Sequence, residues 1–449
     1  MGLTYTGAAL AIAAVSIGVS LTVTPMQTVS VAGQTVQVGA ADPKLNASGP
    51  GELDMFGQRL PTVVQFAGPV RPRIELSHIT VNSELHDFLT PENRKDPGDA
   101  LGAALVGGWQ RYFLLESAIA GGCALLLVGC LAGWSRVPWR RTVALLGAGL
   151  LAVEAINVGA VMVTAYSAPA RLRNVSSLEA LVGRAELPAV PSSSEPAKPH
   201  VHAVVLGDST AAGLGNPVPT EAGPQAVACG RSSDTFAAFL AAVNHWQVLN
   251  LACSGATIPA GVLGPQQRAN LTAPAQLAVA RTATRASVVI VSIGANDVGW
   301  SGFLRLCAVT ATCDNNASVA YFQQQLARFS LSYYQLLKQL ASLPTQPRVL
   351  VNLYYNPFGT TQHCLDELGL TAAKQKSLEA QLGSLNDVLS QGAKAFSATP
   401  VRPDFTGHSL CDATPYVQGV HDAAPFHPTP AGQLAIALAD EHALRSGLR

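Results

Sequence analysis

Residues 201–449 are predicted to form an α/β domain of three layers, a five-stranded parallel sheet between helices. Residues 1–200 are predicted to hold three transmembrane helices and a small external β-rich domain. Three observations lead there. From residue 201 short apolar strands alternate with helical stretches; apolar runs near the ~20 residues a bilayer requires are confined to the region before residue 167; and a Pro/Ser-rich segment divides the two regions.

The composition fits this division. Charged residues are 12% of the 449 and hydrophobic residues 48%, against about 25% charged in typical soluble domains. The 28 basic and 28 acidic side chains cancel, so there is no cationic footprint for nucleic acid and no polybasic run for anionic lipid. The apolar runs are Leu3 to Thr24, Phe113 to Trp134 and Thr142 to Tyr166. They set expected boundaries of 1–24, 113–134 and 142–166 for the spans. The first run is read as an uncleaved anchor, with a signal peptide cleaved near Ser30-Val31-Ala32 as the alternative.

Ser135 to Arg141 carries Arg136, Arg140 and Arg141 between the second and third spans, which marks a tight cytoplasmic turn. The chain after the third span therefore lies outside, in a multi-pass plasma-membrane protein. Six of the eight cysteines (Cys229, Cys253, Cys307, Cys313, Cys364 and Cys411) fall in that part, an even number suited to disulfides in an oxidising compartment. Cys123 and Cys130 lie inside the second span and read as packing residues.

Residues 25–112 show short period-2 stretches, with Val29, Val31, Val36 and Val38 and then Val70, Ile74 and Leu76, punctuated by Gly and Pro. They predict the β-rich domain, whose partner is not legible. His78 and His86 within it read as surface or packing residues. Residues 167–200 form a linker ending in the extended Pro188 to Pro199 spacer. Glu154, midway along the third span, is an ionisable residue at a depth that makes it a functional candidate; the simpler reading is a protonated carboxyl bonded to a neighbouring helix.

Strands are expected at 202–206, 247–252, 287–293, 348–354 and 400–404, with helices near 318–342 and 371–398. In parallel sheets functional residues gather at the carboxyl ends of strands. The first strand ends in Leu206-Gly207-Asp208-Ser209-Thr210, the second in Asn250-Leu251-Ala252-Cys253-Ser254-Gly255-Ala256-Thr257, the third in Ile293-Gly294-Ala295-Asn296-Asp297. Phe426-His427-Pro428-Thr429-Pro430 enters the last helix. A Gly-Asp-Ser turn alone is weak, and Asp208 and Asp297 read first as loop anchors. Glycine-flanked N–H groups and an asparagine amide are the donors a developing oxyanion requires.

These four signatures, in this order, resemble the blocks of the SGNH (GDSL) hydrolase superfamily. Cys229-Gly230-Arg231-Ser232-Ser233 and the Ala-Cys-Ser-Gly-Ala-Thr run resemble the secreted esterases and lipases of actinobacteria. The resemblance covers residues 201–449. It implies a serine ester hydrolase without a cofactor: Ser209 as nucleophile, His427 as general base, and Gly255, Asn296 and the Ser209 N–H as oxyanion donors. The family's usual Asp three residues before the histidine is Ala424 here. Two orienting groups are open, the Ala424 carbonyl, as in some streptomycete relatives, or the carboxylate of Asp422. The resemblance and local order also imply the pairings Cys229 with Cys253, Cys307 with Cys313 and Cys364 with Cys411.

The expected partners are an ester, lipid or acylated envelope component, and the membrane. Two other readings stand beside hydrolysis: an O-acyltransferase or deacylase acting on envelope glycans or lipids, and a non-catalytic assembly protein that keeps the fold. A metal centre is not expected, because His408 and His421 near Cys411 lack ligand spacing.

Overall fold

A computed structural model describes residues 2–31, 34–42, 46, 48–68, 70–79, 97–172, 178–184, 187–268, 270–359 and 365–446. The chain divides into two compact units, Met1–Met55 with Arg59–Glu186, and Phe56–Gln58 with Leu187–Arg449.

In the second unit five parallel strands, β6 (Ala203–Gly207), β7 (Val248–Asn250), β10 (Val288–Ser292), β11 (Arg348–Asn352) and β12 (Thr399–Val401), stand in the order β12-β11-β10-β6-β7. β6 and β10 pair from Ala203↔Val288 to Gly207↔Ser292, so the Asp208 and Ile293 turns leave the same sheet end. All five residues of each of these two strands are buried. That matches continuous apolar runs covered on both faces, as parallel sheets require. On one face Ala203, Val205, Ile290, Leu350 and Val401 pack with Phe236, Leu240, Ile436 and Ala437 from helices Phe236–Asn244 and Pro430–Ser446. The alternate residues Val204, Leu206, Val289, Val291 and Val351 are equally buried. Helices Asn316–Ala341 and Ala372–Ala395 are joined by Tyr333 Oη donating to the Leu389 carbonyl, 3.0 Å. The Pro-rich spacer is tied down at its end, where the Lys198 N–H donates to the Thr282 carbonyl at 2.7 Å.

The first unit contains a five-stranded sheet of β1 (Gln27–Val31), β2 (Gln34–Ala40), β3 (Ser48–Met55), β4 (Gln58–Ala67) and β5 (Pro72–Ile79), ordered β1-β2-β5-β3-β4. Helix Pro97–Trp134 begins well before the expected span. Its early turns serve the sheet: Trp109 packs with Val29, Val38 and Phe66, and its Nε1 donates to the Gly39 carbonyl at 3.0 Å. His78 lies in β5, whereas His86 falls outside the described residues.

Of the three expected spans, two qualify by length and composition, Gly107–Trp134 and Trp139–Met162. The first expected span lies on the helix Gly2–Val23, which is apolar over Ala9–Val23 among the described residues. Its inner face is in part polar. Ser20 Oγ donates to Glu116 Oε1 at 2.5 Å, Asn157 Nδ2 donates to Glu116 Oε2 at 2.5 Å, and Glu116 and Asn157 are fully buried. Glu116 was not singled out in the sequence, where attention fell on Glu154, a partly exposed neighbour that bonds to Ser117.

Gly207 fixes how closely β6 and β10 end. A Cβ there would stand 2.5 Å from the Ser292 carbonyl oxygen and 2.7 Å from Ala211 Cβ. Gly207→Ala should therefore destabilise the second unit by about 1–3 kcal/mol, the usual cost of overpacking. Its denaturant midpoint measures this; an unchanged midpoint would mean that the strand ends part freely.

Candidate active site

The turn at Ser209 is shaped by the residue before it. Asp208, completely buried, caps the short helix Ser209–Ala212 by accepting the Thr210 N–H at 2.9 Å. Its other oxygen accepts Tyr354 Oη–H at 2.9 Å. The same tyrosine oxygen accepts the Ala295 N–H at 2.9 Å, so one phenol joins the turn after β6 to the turn after β10. Burial pushes the Asp208 carboxyl up to about 6, against the Thr210 and Tyr354 hydrogen bonds that hold it down.

Asp297 links the third turn to the second by accepting the Ile258 N–H at 2.9 Å, and its other oxygen is buried without a partner among the described residues. Burial, reinforced by the charge of Asp208, pushes it up to about 8. Asn296 Nδ2 donates one hydrogen to the Ala256 carbonyl at 3.0 Å, leaving its second N–H for another acceptor. Gly255, at φ 79°, holds a left-handed conformation that suits glycine. Three amides brace the same loops. Gln276 both donates to and accepts from the Gly207 backbone, Gln433 spans the Phe236 N–H and the Thr210 carbonyl, and Asn250 reaches the Ala211 carbonyl.

Ser209 Oγ and His427 Nε2 lie 2.8 Å apart. His427 stands after a tight turn in which its N–H donates to the Ala424 carbonyl at 3.1 Å, with Pro425 and Phe426 at the central positions and Phe426 at φ 66°. A proline followed by a positive φ is the type II pattern. A phenylalanine there is strained, and its surroundings hold it: Tyr355 Oη donates to the Phe426 carbonyl at 2.7 Å, and the Phe426 N–H donates to the Gln418 carbonyl at 3.0 Å.

The group hydrogen-bonded to His427 Nδ1 is the Pro425 carbonyl, 3.2 Å away. It stands beside the Ala424 carbonyl, one of the two expected orienting groups. The Ala424 carbonyl accepts the backbone N–H of His427 where the turn closes and also bonds to the ring, favouring its charged form. Asp422 Oδ2 accepts the Gly419 N–H at 2.6 Å within its own loop. Burial lowers the pKa of His427 below its ordinary value, opposed by the Pro425 and Ala424 carbonyls, so the ring is neutral near pH 7 and able to accept a proton.

Cys229 is bonded to Cys253 and Cys307 to Cys313. Cys411 is disulfide-bonded as well, and Cys364, its expected partner, lies outside the described residues. Cys123 and Cys130 are free thiols. His408 bonds to Thr414 and stacks on Tyr416, centroids 3.8 Å apart; among the described residues no group of His, Cys, Asp or Glu is placed to hold a metal.

Tyr354, Gln276, Gln433 and Gln418 carry the scaffold of the site, and none was singled out in the sequence. Tyr354 alone left a trace, a polar aromatic at the carboxyl end of an expected strand.

A family model described as the GDSL-like lipase/acylhydrolase family matches residues 205–435, a little over half of the chain. Lipase 1 of Streptomyces coelicolor is 28% identical over 244 residues, covering 51% of this chain and 81% of that protein. The crystal structure of an extracellular lipase from Streptomyces rimosus is similar at 21% identity and a TM-score of 0.44, over 55% of this chain and 99% of the other. A phospholipase A1 from Streptomyces albidoflavus NA297 follows at 22% identity and 0.40, over 55% and 98%.

The raised Asp297 carboxyl makes a pH prediction. A carboxyl whose folded pKa lies above its unfolded value, ~3.9, contributes stability that is complete below that value and is lost as pH rises through the folded value, about 8. The second unit should weaken from about pH 4 to 8 by this route, and Asp297→Asn should flatten that decline. Denaturant midpoints over the pH range test this, and equal slopes for both proteins would refute it.

Proposed function

The chain belongs to the GDSL-like lipase/acylhydrolase family and is an ester hydrolase, and on that premise we propose that it cleaves acyl esters through a Ser209–His427 centre on the outer side of a membrane. The observation that carries the centre is the 2.8 Å approach of Ser209 Oγ to His427 Nε2 from residues 218 apart in sequence.

In this mechanism Ser209 Oγ attacks the ester carbonyl carbon as its proton passes to His427 Nε2. The carbonyl oxygen becomes an oxyanion that accepts hydrogen bonds from the Ser209 and Gly255 N–H groups and the second Asn296 N–H. Collapse of the intermediate breaks the bond to the alcohol oxygen, which takes the proton from His427. Water then gives its proton to the same ring as its oxygen attacks the acyl-serine, releasing the acid and restoring Ser209. The Pro425 carbonyl accepts the Nδ1 hydrogen and so selects the tautomer whose Nε2 is basic. No cofactor enters these steps.

The anchoring and location rest on three supports. Two helices are apolar and long enough to cross a bilayer. The turn between them holds Arg136, and Arg140 and Arg141 open the second helix, the mark of a cytoplasmic side. The disulfides of the second unit suit an oxidising compartment. On this reading residues 25–112 and 201–449 are both external, and the substrate is a lipid or acylated envelope component. Transfer of the acyl group to an envelope acceptor in place of water uses the same serine, and product analysis decides between free acid and acylated acceptor.

Ser209→Ala and His427→Ala should each abolish ester cleavage, with fluorophosphonate labelling Ser209 alone; substantial turnover in either variant refutes the centre. Asn296→Ala should lower kcat by about 10² to 10³, and an effect confined to KM would make Asn296 a binding residue.

Asp422 offers a second test. A triad carboxylate replaced by its amide costs about 10⁴ in rate, whereas an Asp422 held by Gly419 has only a loop to shape. Asp422→Asn should cost less than about tenfold, far below that triad-scale loss. A loss approaching that of His427→Ala in a folded protein would install Asp422 as the third catalytic residue.

A further inference from the structure

Two guanidinium groups stand in the corner where Cys229 and Cys253 are joined, and neither has a carboxylate partner among the described residues. Arg231 Nη1 donates to the Asn250 carbonyl at 2.7 Å, while its Nε is buried with no acceptor among the described residues. Arg268 lies on the hairpin of β8 (Gln266–Arg268) and β9 (Leu271–Ala273), outside the main sheet. Its Nε donates to the Ala228 carbonyl at 3.2 Å. Beside it, buried Gln266 donates through Nε2 to the Ser254 carbonyl at 3.0 Å. The hairpin thus grips the chain on both sides of the disulfide, and Leu271 and Ala273 pack against that disulfide.

This grip aims the outer edge of Arg268. A Cβ on Gly255 would lie 3.4 Å from Arg268 Nη1 and 3.6 Å from Gln266 Nε2. The cation therefore borders the residue whose N–H is one of the proposed oxyanion donors. Arg268 is only partly exposed, and a half-buried cation with no counter-charge is costly to keep. A surface salt bridge would have relieved it, and none is made among the described residues. An anionic group on a ligand would supply the missing charge and accept from both Nη groups in the fork geometry that suits carboxylate and phosphate.

We propose that Arg268 is a specificity-determining residue that receives an anionic oxygen group, carboxylate or phosphate, carried by the substrate close to the scissile ester. This rests on the reading of Ser209 and His427 as the ester-cleaving centre. Arg231, deeper in the same corner, adds to the positive potential without touching the substrate.

The test is selectivity, measured on the full chain in detergent micelles with two matched pairs of esters. One pair sets p-nitrophenyl hemisuccinate, with a carboxylate on the acyl side, against p-nitrophenyl butyrate. The other sets an acylglycerol phosphate, with the charge on the alcohol side, against the corresponding acylglycerol. The wild type should prefer the anionic member of at least one pair in kcat/KM, and the pair that responds identifies the side. Arg268→Gln should lower that anionic-to-neutral ratio by about 10- to 100-fold, the span of a charge-assisted hydrogen bond. Arg268→Lys, which keeps the charge and loses the fork, should fall between. An unchanged ratio in Arg268→Gln overturns the proposal, including the case where both esters slow in parallel, because that is the signature of loop support or of a general oxyanion effect. The absence of any anionic preference in the wild type overturns it too. If the wild type cleaves no ester and fluorophosphonate does not label Ser209, the hydrolytic centre itself fails and takes this inference with it; cleavage without an Arg268-dependent ratio removes this inference alone.

Discussion

The site depends on the hydrogen bonds that the buried Asp208 carboxyl receives. Placed at the end of a strand that is apolar throughout, this group has no water to turn to, so the Thr210 N–H and Tyr354 hydroxyl must satisfy it. The first of these bonds starts the helix that begins at Ser209. The second pulls the end of β11 over to the end of β6, and Tyr354 then takes the Ala295 N–H and fixes the turn that carries Asn296. Asp297 extends the chain of contacts to Ile258, two residues past Ala256, whose carbonyl holds Asn296. Three loops from three strands are thereby set in register by two carboxyls and one phenol, and each link is made where a lost partner would cost ~1–3 kcal/mol.

The histidine is held by a different device. A carboxylate would orient the ring and also stabilise its charged form; a main-chain carbonyl does the first and contributes little to the second. The Pro425 carbonyl is available because the chain turns sharply before His427, and the turn is possible because Tyr355 and Gln418 fix Phe426 in a conformation that phenylalanine disfavours. Local strain is thus balanced by hydrogen bonds from the surrounding loops, which hold the side chain that follows in one orientation.

In the first unit, polar groups again sit where apolar ones would be cheaper. Glu116 is buried among three helices with a hydroxyl and an amide as its partners. Within a helix bundle such bonds specify which faces meet, since a slip of one helix would leave the carboxyl without donors. Ser16 and Ser20 lie four residues apart on the first helix, both fully buried. The long reach of helix Pro97–Trp134 beyond the apolar run has a similar cause, because Trp109 is needed under the sheet of its own unit.

Period and punctuation made much of this legible. The strands fell within a few residues of their expected places because a doubly covered parallel strand must be apolar throughout, and the four strand-end signatures marked where polar backbone turns had to follow. Ser209, Gly255, Asn296 and His427 were named from those signatures through the family resemblance they carry together. The sequence could not disclose Tyr354, Gln276, Gln418 or Gln433, since a single tyrosine or glutamine carries no local pattern and acquires its role only when distant loops converge. It likewise offered Ala424 or Asp422 for the histidine. The Pro425 carbonyl joined Ala424 because hydrogen bonding in a turn depends on backbone angles, and those were set by Tyr355 and Gln418, far away along the chain or across the loop. Local chemistry decided which groups stand at the strand ends, and tertiary packing decided which of them meet.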